Sequence, residues 1–236
     1  MKRSISTVGV FCGSQSGIRP EYSRAAYALG AALAQQSIGL IYGGASIGLM
    51  GMVADGCLSA GGHVVGILPD ALIPYEIAHG GLASLTITRG MHERKATMYQ
   101  GADAFIVLPG GVGTLEELFE IVTWAQIGIH TKPIALLNVA GFFDPLLRYL
   151  DHAWAEGFMR PAFHTFACVY AEDAISLMLE DLQRRRVNAA STTACTDVLG
   201  VDTAHTKVGA NAQFNKRSWG LHTCSRRIRT RRREDS

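Results

Sequence analysis

The run Pro109–Glu117, which reads PGGVGTLEE, decides how this chain folds. It follows the apolar stretch Ala104–Leu108, AFIVL, which is typical of a buried parallel strand. The pattern that comes next, Leu118–Ile127, predicts a helix. The run is therefore a glycine-rich junction between a strand and a helix, and such junctions recur in α/β folds built from βαβ units.

The junction favours an anion for reasons of backbone chemistry. Its three glycines carry no Cβ, so they allow a tight turn and the close approach of a ligand. The first amides of the helix have no internal acceptor and lie at the positive end of the helix dipole. Thr114 either caps the helix or donates its hydroxyl to a phosphate oxygen. The sequence therefore indicates phosphate binding, without indicating the remainder of the ligand.

Two carboxylates, Glu116 and Glu117, follow directly and leave two interpretations open. They are unexpected in a junction that only binds phosphate, and this favours a catalytic role. However, Thr114 and Glu117 also have the spacing of a capping box, in which a carboxylate satisfies a backbone amide. Spacing alone does not choose between catalysis and capping.

Apolar runs alternate with helical patterns over residues 1–186, which predicts a single α/β domain with a Rossmann-like, doubly wound parallel sheet. Ligands of such sheets bind beyond the carboxyl ends of the strands, where the strand order reverses. The loops expected to meet there contain Gly13-Ser14, Gly43-Gly44, Pro69–Gly81 with Glu76, Met91–Lys95 and Pro109–Glu117. The predicted strands are Thr7–Cys12, Gly39–Tyr42, His63–Leu68, Ser84–Thr88, Ala104–Leu108, Pro133–Asn138 and Phe166–Tyr170. The predicted helices are Glu21–Gln36, Gly48–Ala60, Met91–Ala102, Thr114–Ile127, Pro145–Glu156 and Ala171–Arg185.

Several ordered motifs resemble those of one enzyme family. The glycine run has the form Pro-Gly-Gly-x-Gly-Thr-x-x-Glu, the signature of the LOG family, the cytokinin riboside 5'-monophosphate phosphoribohydrolases, which also carry the older label "lysine decarboxylase-like". The resemblance covers about residues 5–185, and it departs from many members at Ala45, where they have a glycine. The other matching segments are Gly9–Ser14, Tyr42–Gly44, Gly48–Gly51, Pro74–Ile77, Met91–Lys95 and Thr123–Gln126.

This resemblance implies hydrolysis of the N-glycosidic bond of adenosine 5'-monophosphates, N6-modified ones included, to the free base and ribose 5-phosphate. It implies that Arg94 and Glu117 are the catalytic pair, in which Glu117 activates water or interacts with the ribose. Arg94 stays charged and therefore does not act as an ordinary base. No cofactor and no metal are expected. The substrate-binding residues that the resemblance implies are Ser14, Gly44, Glu76, Met91, Lys95, Gly110, Gly111, Val112, Gly113, Thr114, Leu115 and Glu116.

Two other functions are consistent with parts of the sequence. A non-catalytic carrier of a nucleotide or pterin would share the glycine loop but would not need the pair Arg94 and Glu117. A decarboxylase would need a lysine that forms a Schiff base with pyridoxal phosphate. Residues 1–186 contain only Lys2, Lys95 and Lys132, and the motif Met91–Lys95 explains Lys95 better than a Schiff base does.

Charge divides the chain into two parts. Residues 187–236 hold nine Lys/Arg and four Asp/Glu, a net charge of about +5, whereas residues 1–186 hold 13 and 16. The second part also loses periodicity, so we expect a disordered basic tail. Such a tail can bind nucleic acid or an anionic surface, but a solvated appendage without a partner is favoured.

The remaining composition indicates the compartment and the partners. The five cysteines are scattered, without a Cys-x-x-Cys pair or the Cys/His spacing of a zinc site, so free thiols in the cytoplasm are expected. No apolar run approaches the length that crosses a membrane. The resemblance implies a homodimer or a higher homo-oligomer, for which Ile121 and Trp124 would supply an apolar face.

Overall fold

The computed structural model of the chain describes residues 4–74, 78–159, 163 and 167–199. Its strands are β1 Thr7–Phe11, β2 Gly39–Tyr42, β3 Val64–Pro69, β4 Ser84–Thr88, β5 Ala104–Val107, β6 Ile134–Leu137 and β7 Ala167–Tyr170. Its helices are α1 Pro20–Gln35, α2 Gly48–Ser59, α3 Met91–Gly101, α4 Val112–Gln126, α5 Asp144–Ala155 and α6 Ile175–Leu199. The described part of the chain therefore confirms the predicted alternation of strands and helices.

The seven strands form one parallel sheet in the order β4-β3-β2-β1-β5-β6-β7. The chain builds outward from β1 to β4 and then returns, so that β5 pairs with the other side of β1. The strand order reverses between β1 and β5, and the loops that follow these two strands leave the sheet there. The Gly13 amide donates a hydrogen bond to the Pro109 carbonyl at 3.0 Å, which ties the two loops together at this reversal.

Both faces of the sheet are covered by helices, as expected of a parallel sheet. One apolar layer lies under α1, α2 and α6, and the other lies under α3, α4 and α5. Strand β5 shows the alternation directly: Ile106 packs in the first layer, and Phe105 and Val107 pack in the second. All three side chains are fully buried, which explains why this segment is a continuous apolar run.

Helices α1 and α2 approach each other closely because glycines face the contact. A Cβ on Gly30 would lie 2.0 Å from the carbonyl oxygen of Val53, and a Cβ on Gly56 would lie 2.1 Å from that of Tyr27. Real Cβ atoms do not come so close to backbone, so both positions require glycine. This contact fixes α2, whose first turn borders the site described below.

The ends of two helices differ from the prediction. Helix α4 begins at Val112 rather than Thr114, because the extended backbone conformation ends at Gly111 (φ −91°, ψ −153°). Helix α6 continues to Leu199, past the predicted end at Arg185 and past the predicted limit of the domain at residue 186. Loss of apolar periodicity does not end a helix, and the segment 186–199 contains neither Gly nor Pro. Residues 200–236 of the predicted tail lie outside the described residues.

The apolar face proposed for dimer contact is not present as predicted. Ile121 is only 2% exposed and packs in the core beneath α4. Trp124 is partly buried and meets the Tyr99 ring edge-on, with centroids 5.0 Å apart. The homodimer itself stays a prediction. Among the helices described, none combines the length and apolarity that crossing a membrane requires.

Gly30→Ala is expected to destabilise the protein by about 1–3 kcal/mol, since the added methyl overpacks the contact between α1 and α2. The sign is informative, because Gly→Ala within a helix normally stabilises it by about 1 kcal/mol. The free energy of unfolding from urea titration measures the effect. Gly80→Ala is the control, since its Cβ would meet no atom within 4 Å; equal or higher stability of Gly30→Ala would contradict the packing argument.

Candidate active site

The first turn of α4 presents unpaired amides beyond the end of β5. Gly111 is the N-cap residue, and no side chain caps the helix. The first intrahelical bond runs from the Leu115 amide to the Gly111 carbonyl at 3.1 Å. The amides of Val112, Gly113 and Thr114 therefore have no acceptor within the helix. Because Thr114 lies inside α4 rather than at its cap, the capping-box interpretation of Thr114 and Glu117 is wrong.

The glycines of this loop divide into two kinds. A Cβ on Gly110 would lie 2.1 Å from Thr114 Oγ1 and 2.9 Å from the Gly13 amide, so this glycine is needed for the loop to pack. A Cβ on Gly111 or Gly113 would meet no protein atom within 4 Å. These two positions are open, and a ligand can approach their backbone directly.

A cavity of about 260 Å³ lies beside this helix start, at the reversal of strand order. Residues from the loops or helices that follow four strands, β1, β2, β4 and β5, contribute to it. It brings together nine of the predicted site residues: Ser14, Met91, Arg94, Gly111, Val112, Gly113, Thr114, Glu116 and Glu117. It also contains three residues that were not predicted: Cys12, Gly13 and Met50.

Arg94 and Glu117 form a buried charged pair in the wall of this cavity. Arg94 Nη2 lies 3.9 Å from Glu117 Oε1, and each residue is only 7% exposed. This distance exceeds that of a hydrogen bond. Among the described residues Arg94 Nε has no hydrogen-bond partner, and Nη1 contacts only Met91 Sδ, at 3.8 Å. Both groups thus keep hydrogen-bonding capacity for a ligand.

Glu117 is poised to exchange a proton near neutrality. Burial raises the pKa of its carboxyl to about 7, against the opposing effect of the Arg94 charge. The neighbouring Cys12 differs, because burial and the Glu117 charge raise the pKa of its thiol far above neutrality. At physiological pH, Glu117 therefore exists in both protonation states, whereas Cys12 stays a neutral thiol.

Gly43 makes room for the Arg94 guanidinium. A Cβ at this position would lie 2.3 Å from Arg94 Nη2 and 2.7 Å from Met50 Sδ. Sequence reasoning selected Gly44 instead, which sits at φ +83° against Leu68 and Leu85 on the strands beside it. The two adjacent glycines were both visible in the sequence, but only the packing shows which of them borders the functional side chain.

Three other predicted residues are placed differently. Lys95 pairs with Glu116 and Glu120 and does not line the cavity. Leu115 packs against the core beneath α4. Gly110 lines a second, mainly apolar cavity of about 270 Å³ that shares Gly13, Ser14 and Gly111 with the first. Glu76 lies outside the described residues. No cluster of three or more metal-ligating side chains occurs in the described ranges.

Comparison with known proteins identifies the family of this site. The model of a family described as "possible lysine decarboxylase" matches residues 50–180. Cytokinin riboside 5'-monophosphate phosphoribohydrolase LOG7 of Arabidopsis thaliana is 49% identical over 160 residues, which is 68% of this chain and 74% of the relative. This chain belongs to the LOG family. LOG1 of Arabidopsis thaliana is 45% identical over 77% of this chain and 86% of its own length. LOG of Oryza sativa subsp. japonica is 52% identical over 64% of this chain and 62% of its own length.

Solved structures share the fold of this LOG-family chain. The molybdenum cofactor binding protein of Rippkaea orientalis superposes with a TM-score of 0.57 and 23% identity, over 77% of this chain and 98% of that one. The molybdenum cofactor carrier protein of Chlamydomonas reinhardtii has a TM-score of 0.57 and 22% identity, over 75% and 96%. At this level of identity the likeness confirms the doubly wound parallel sheet and says nothing of the ligand.

In the LOG-family site, Gly43→Ala is expected to displace the Arg94 guanidinium with little loss of stability, because the clash is with the ends of flexible side chains. Misplacement by about 1 Å can cost roughly 10²-fold in rate. Activity and the free energy of unfolding should be measured together. Gly39→Ala, in the strand β2 that ends just before Gly43, is the control, since its Cβ would make only ordinary contacts at 3.5 Å or more. Equal activity of the two variants would show that Gly43 does not position Arg94.

Proposed function

We propose that this chain hydrolyses the N-glycosidic bond of adenosine 5'-monophosphates, including those that carry an N6 substituent, and releases the free base and ribose 5-phosphate. The observation that carries the proposal is the buried pair of Arg94 and Glu117 beside the open start of α4. Relatives named as cytokinin riboside 5'-monophosphate phosphoribohydrolases, which are 49% and 52% identical over 68% and 64% of this chain, support it.

The 5'-phosphate binds at the start of α4. The amides of Val112, Gly113 and Thr114 point there without helical acceptors, and the helix dipole favours a dianion. Thr114, which is only 4% exposed, lines the cavity and supplies a hydroxyl donor. Binding at this position leaves the ribose over the cavity wall that contains Glu117.

Glu117 acts on the water and on the ribose. As the bond between C1' and the base nitrogen breaks, its electron pair leaves with the base, and positive charge builds on the ribose ring. The ionised carboxylate stabilises this charge and accepts a proton from water, whose oxygen bonds to C1'. The departing base takes up one proton and Glu117 releases the one it accepted, so the products are the neutral base and ribose 5-phosphate.

Arg94 supplies fixed positive charge. It does not accept a proton under any physiological condition, but its partly unsatisfied guanidinium can donate to the ribose, the phosphate or the departing base. Its charge also keeps part of the Glu117 population ionised despite burial. The pair thus combines a group that can take a proton with one that cannot.

The decarboxylase chemistry suggested by the family description does not fit the described lysines. Burial of Lys95 lowers the pKa of its amine, but hydrogen bonds to Glu116 and Glu120 outweigh this effect and leave that pKa raised. A Schiff base needs a neutral amine. Lys132 lies over the Tyr99 ring, 4.0 Å from its centroid, and donates to the Tyr99 carbonyl. Neither lysine lines the cavity.

The wild-type protein is expected to release base from both AMP and isopentenyladenosine monophosphate, and Glu117→Gln is expected to lose roughly 10²–10⁴-fold in rate. Chromatography of free base and ribose 5-phosphate measures both products, and the ratio of the two rates defines the substrate preference. Binding of AMP by calorimetry shows that the variant is folded. Tight binding of AMP without any release of base would instead make the chain a nucleotide carrier.

The rate should also follow the ionisation of Glu117. Because the carboxylate form is the active one, kcat/KM is expected to fall tenfold per unit as pH drops below about 7 and to level off above it. The substrate phosphate also titrates, with a pKa near 6, so Glu116→Gln is the control. Removing this carboxylate, whose charge raises the Glu117 pKa, should move the fall of kcat/KM to lower pH. If the fall stays at the same pH in Glu116→Gln, it reports the titration of the substrate phosphate instead.

A further inference from the structure

Helices α3 and α4 are joined by two adjacent ionic contacts. Arg94 and Glu117 both line the cavity, whereas in the contact of Lys95 with Glu116 and Glu120 only Glu116 does. Arg94 and Lys95 are consecutive on α3, and they face the consecutive residues Glu116 and Glu117 on α4. Lys95 Nζ lies 2.6 Å from Glu116 Oε1 and 2.8 Å from Glu120 Oε1. The lysine side chain is 10% exposed, close to the 9% of the Arg94 side chain.

We propose that Lys95 is a positioning residue rather than a phosphate ligand. Its double ion pair with Glu116 and Glu120 fixes the spacing of α3 and α4, and thereby holds Arg94 against Glu117. It also sets the electrostatic field in which Glu117 ionises. The inference rests on the proposed function, because it assigns a role to Lys95 in the same hydrolysis.

The hydrogen-bonding capacity of the ammonium supports this assignment. A lysine ammonium has three N–H donors, and two of them are already given to carboxylates at short, charge-assisted distances. Lys95 is not part of the cavity lining, although Arg94 and Glu116 on either side of it are. One N–H donor remains, but the ammonium does not border the cavity, so it reaches a phosphate bound there only if the Lys95 side chain moves.

The two carboxylates in turn need Lys95. Glu116 and Glu120 are four residues apart on one face of α4, and like charges at this spacing destabilise a helix. The ammonium between them removes the repulsion and attaches that face to α3. Its loss would leave two negative charges next to Glu117, with nothing from α3 to balance them except Arg94.

Four charged groups on α3 and α4 act on the Glu117 carboxyl. Arg94 and Lys95 on α3 lower the pKa of Glu117, whereas Glu116 and Glu120 on α4 raise it. The Cys12 thiol beyond β1 remains neutral. Removal of Lys95 takes away one charge that lowers the Glu117 pKa and leaves Glu116 and Glu120, which raise it, without their ammonium partner. The ionisation of Glu117 therefore reports on the ion pair independently of turnover.

The decisive variant is Lys95→Met. The Glu117 carboxyl should titrate at a pH higher by about half a unit or more. We would follow its resonance in ¹³C-glutamate-labelled protein, assigned by its loss in Glu117→Gln. In the assay, kcat should fall by roughly tenfold or more, while KM for AMP changes by less than about threefold, because substrate binding is not the interaction removed. Lys95→Arg should retain the wild-type titration pH of Glu117 and the wild-type kcat, since a guanidinium can also bridge two carboxylates.

Two further variants keep the test valid if Lys95→Met is unstable. Glu120→Gln retains Lys95 and removes a negative charge that raises the Glu117 pKa, so Glu117 should titrate at lower pH than in the wild type. The double variant Lys95→Met/Glu120→Gln should bring the titration back towards the wild-type value. Lys132→Met is the matched control: Lys132 holds the other end of α3 through Tyr99, so its loss should reduce stability without moving the Glu117 titration.

The outcomes separate this inference from the proposed function. An unchanged Glu117 titration in Lys95→Met, together with a KM raised tenfold or more, would overturn the positioning role and make Lys95 a substrate ligand. A shifted titration in a protein whose wild type releases no base would support the ion pair and refute the hydrolase. The titration does not depend on turnover, so each claim can fail alone.

Discussion

The burial of one guanidinium beside one carboxylate constrains the rest of this structure. Arg94 and Glu117 are each 7% exposed and lie 3.9 Å apart. An unpaired charge at such depth costs on the order of several kcal/mol, so each residue lowers the cost of burying the other. They lie on two helices, α3 and α4, each of which begins shortly after the strand that precedes it in the chain, β4 or β5. The pairing is loose enough to leave donors and acceptors for a ligand.

The reversal of strand order creates the place for this pair. Strand β5 returns to the side of β1 opposite β2, so the loops after β1 and β5 meet and are tied by the bond from Gly13 to Pro109. Two glycines, which have no side chain, then leave space at this place. Gly110 lets the loop pack onto Thr114, and Gly43 leaves room for the Arg94 guanidinium. Glycine thus acts here by the volume it leaves empty, as well as by its backbone freedom.

Charge is organised in layers around the cavity. The inner pair, Arg94 and Glu117, is buried, and this burial raises the pKa of the Glu117 carboxyl to about 7. The outer group joins Lys95 to Glu116 and Glu120, with carboxylates that are 52% and 22% exposed. Surface ion pairs contribute little to stability, but a half-buried group next to an ionisable carboxylate can tune its proton affinity. The same helix contact therefore serves packing and electrostatics together.

The sequence by itself determined the fold class, the positions of the strands and helices, the family and most of the cavity lining, because periodicity and glycine-rich motifs are local properties. It also singled out Glu117, but could not separate its role from that of a cap. Only the tertiary structure decided that Glu117 faces the cavity while Lys95 turns away, and that Gly43 rather than Gly44 borders Arg94. Successive helix residues point about 100° apart, so which of them meets the site depends on how α3 and α4 pack against residues distant in the chain.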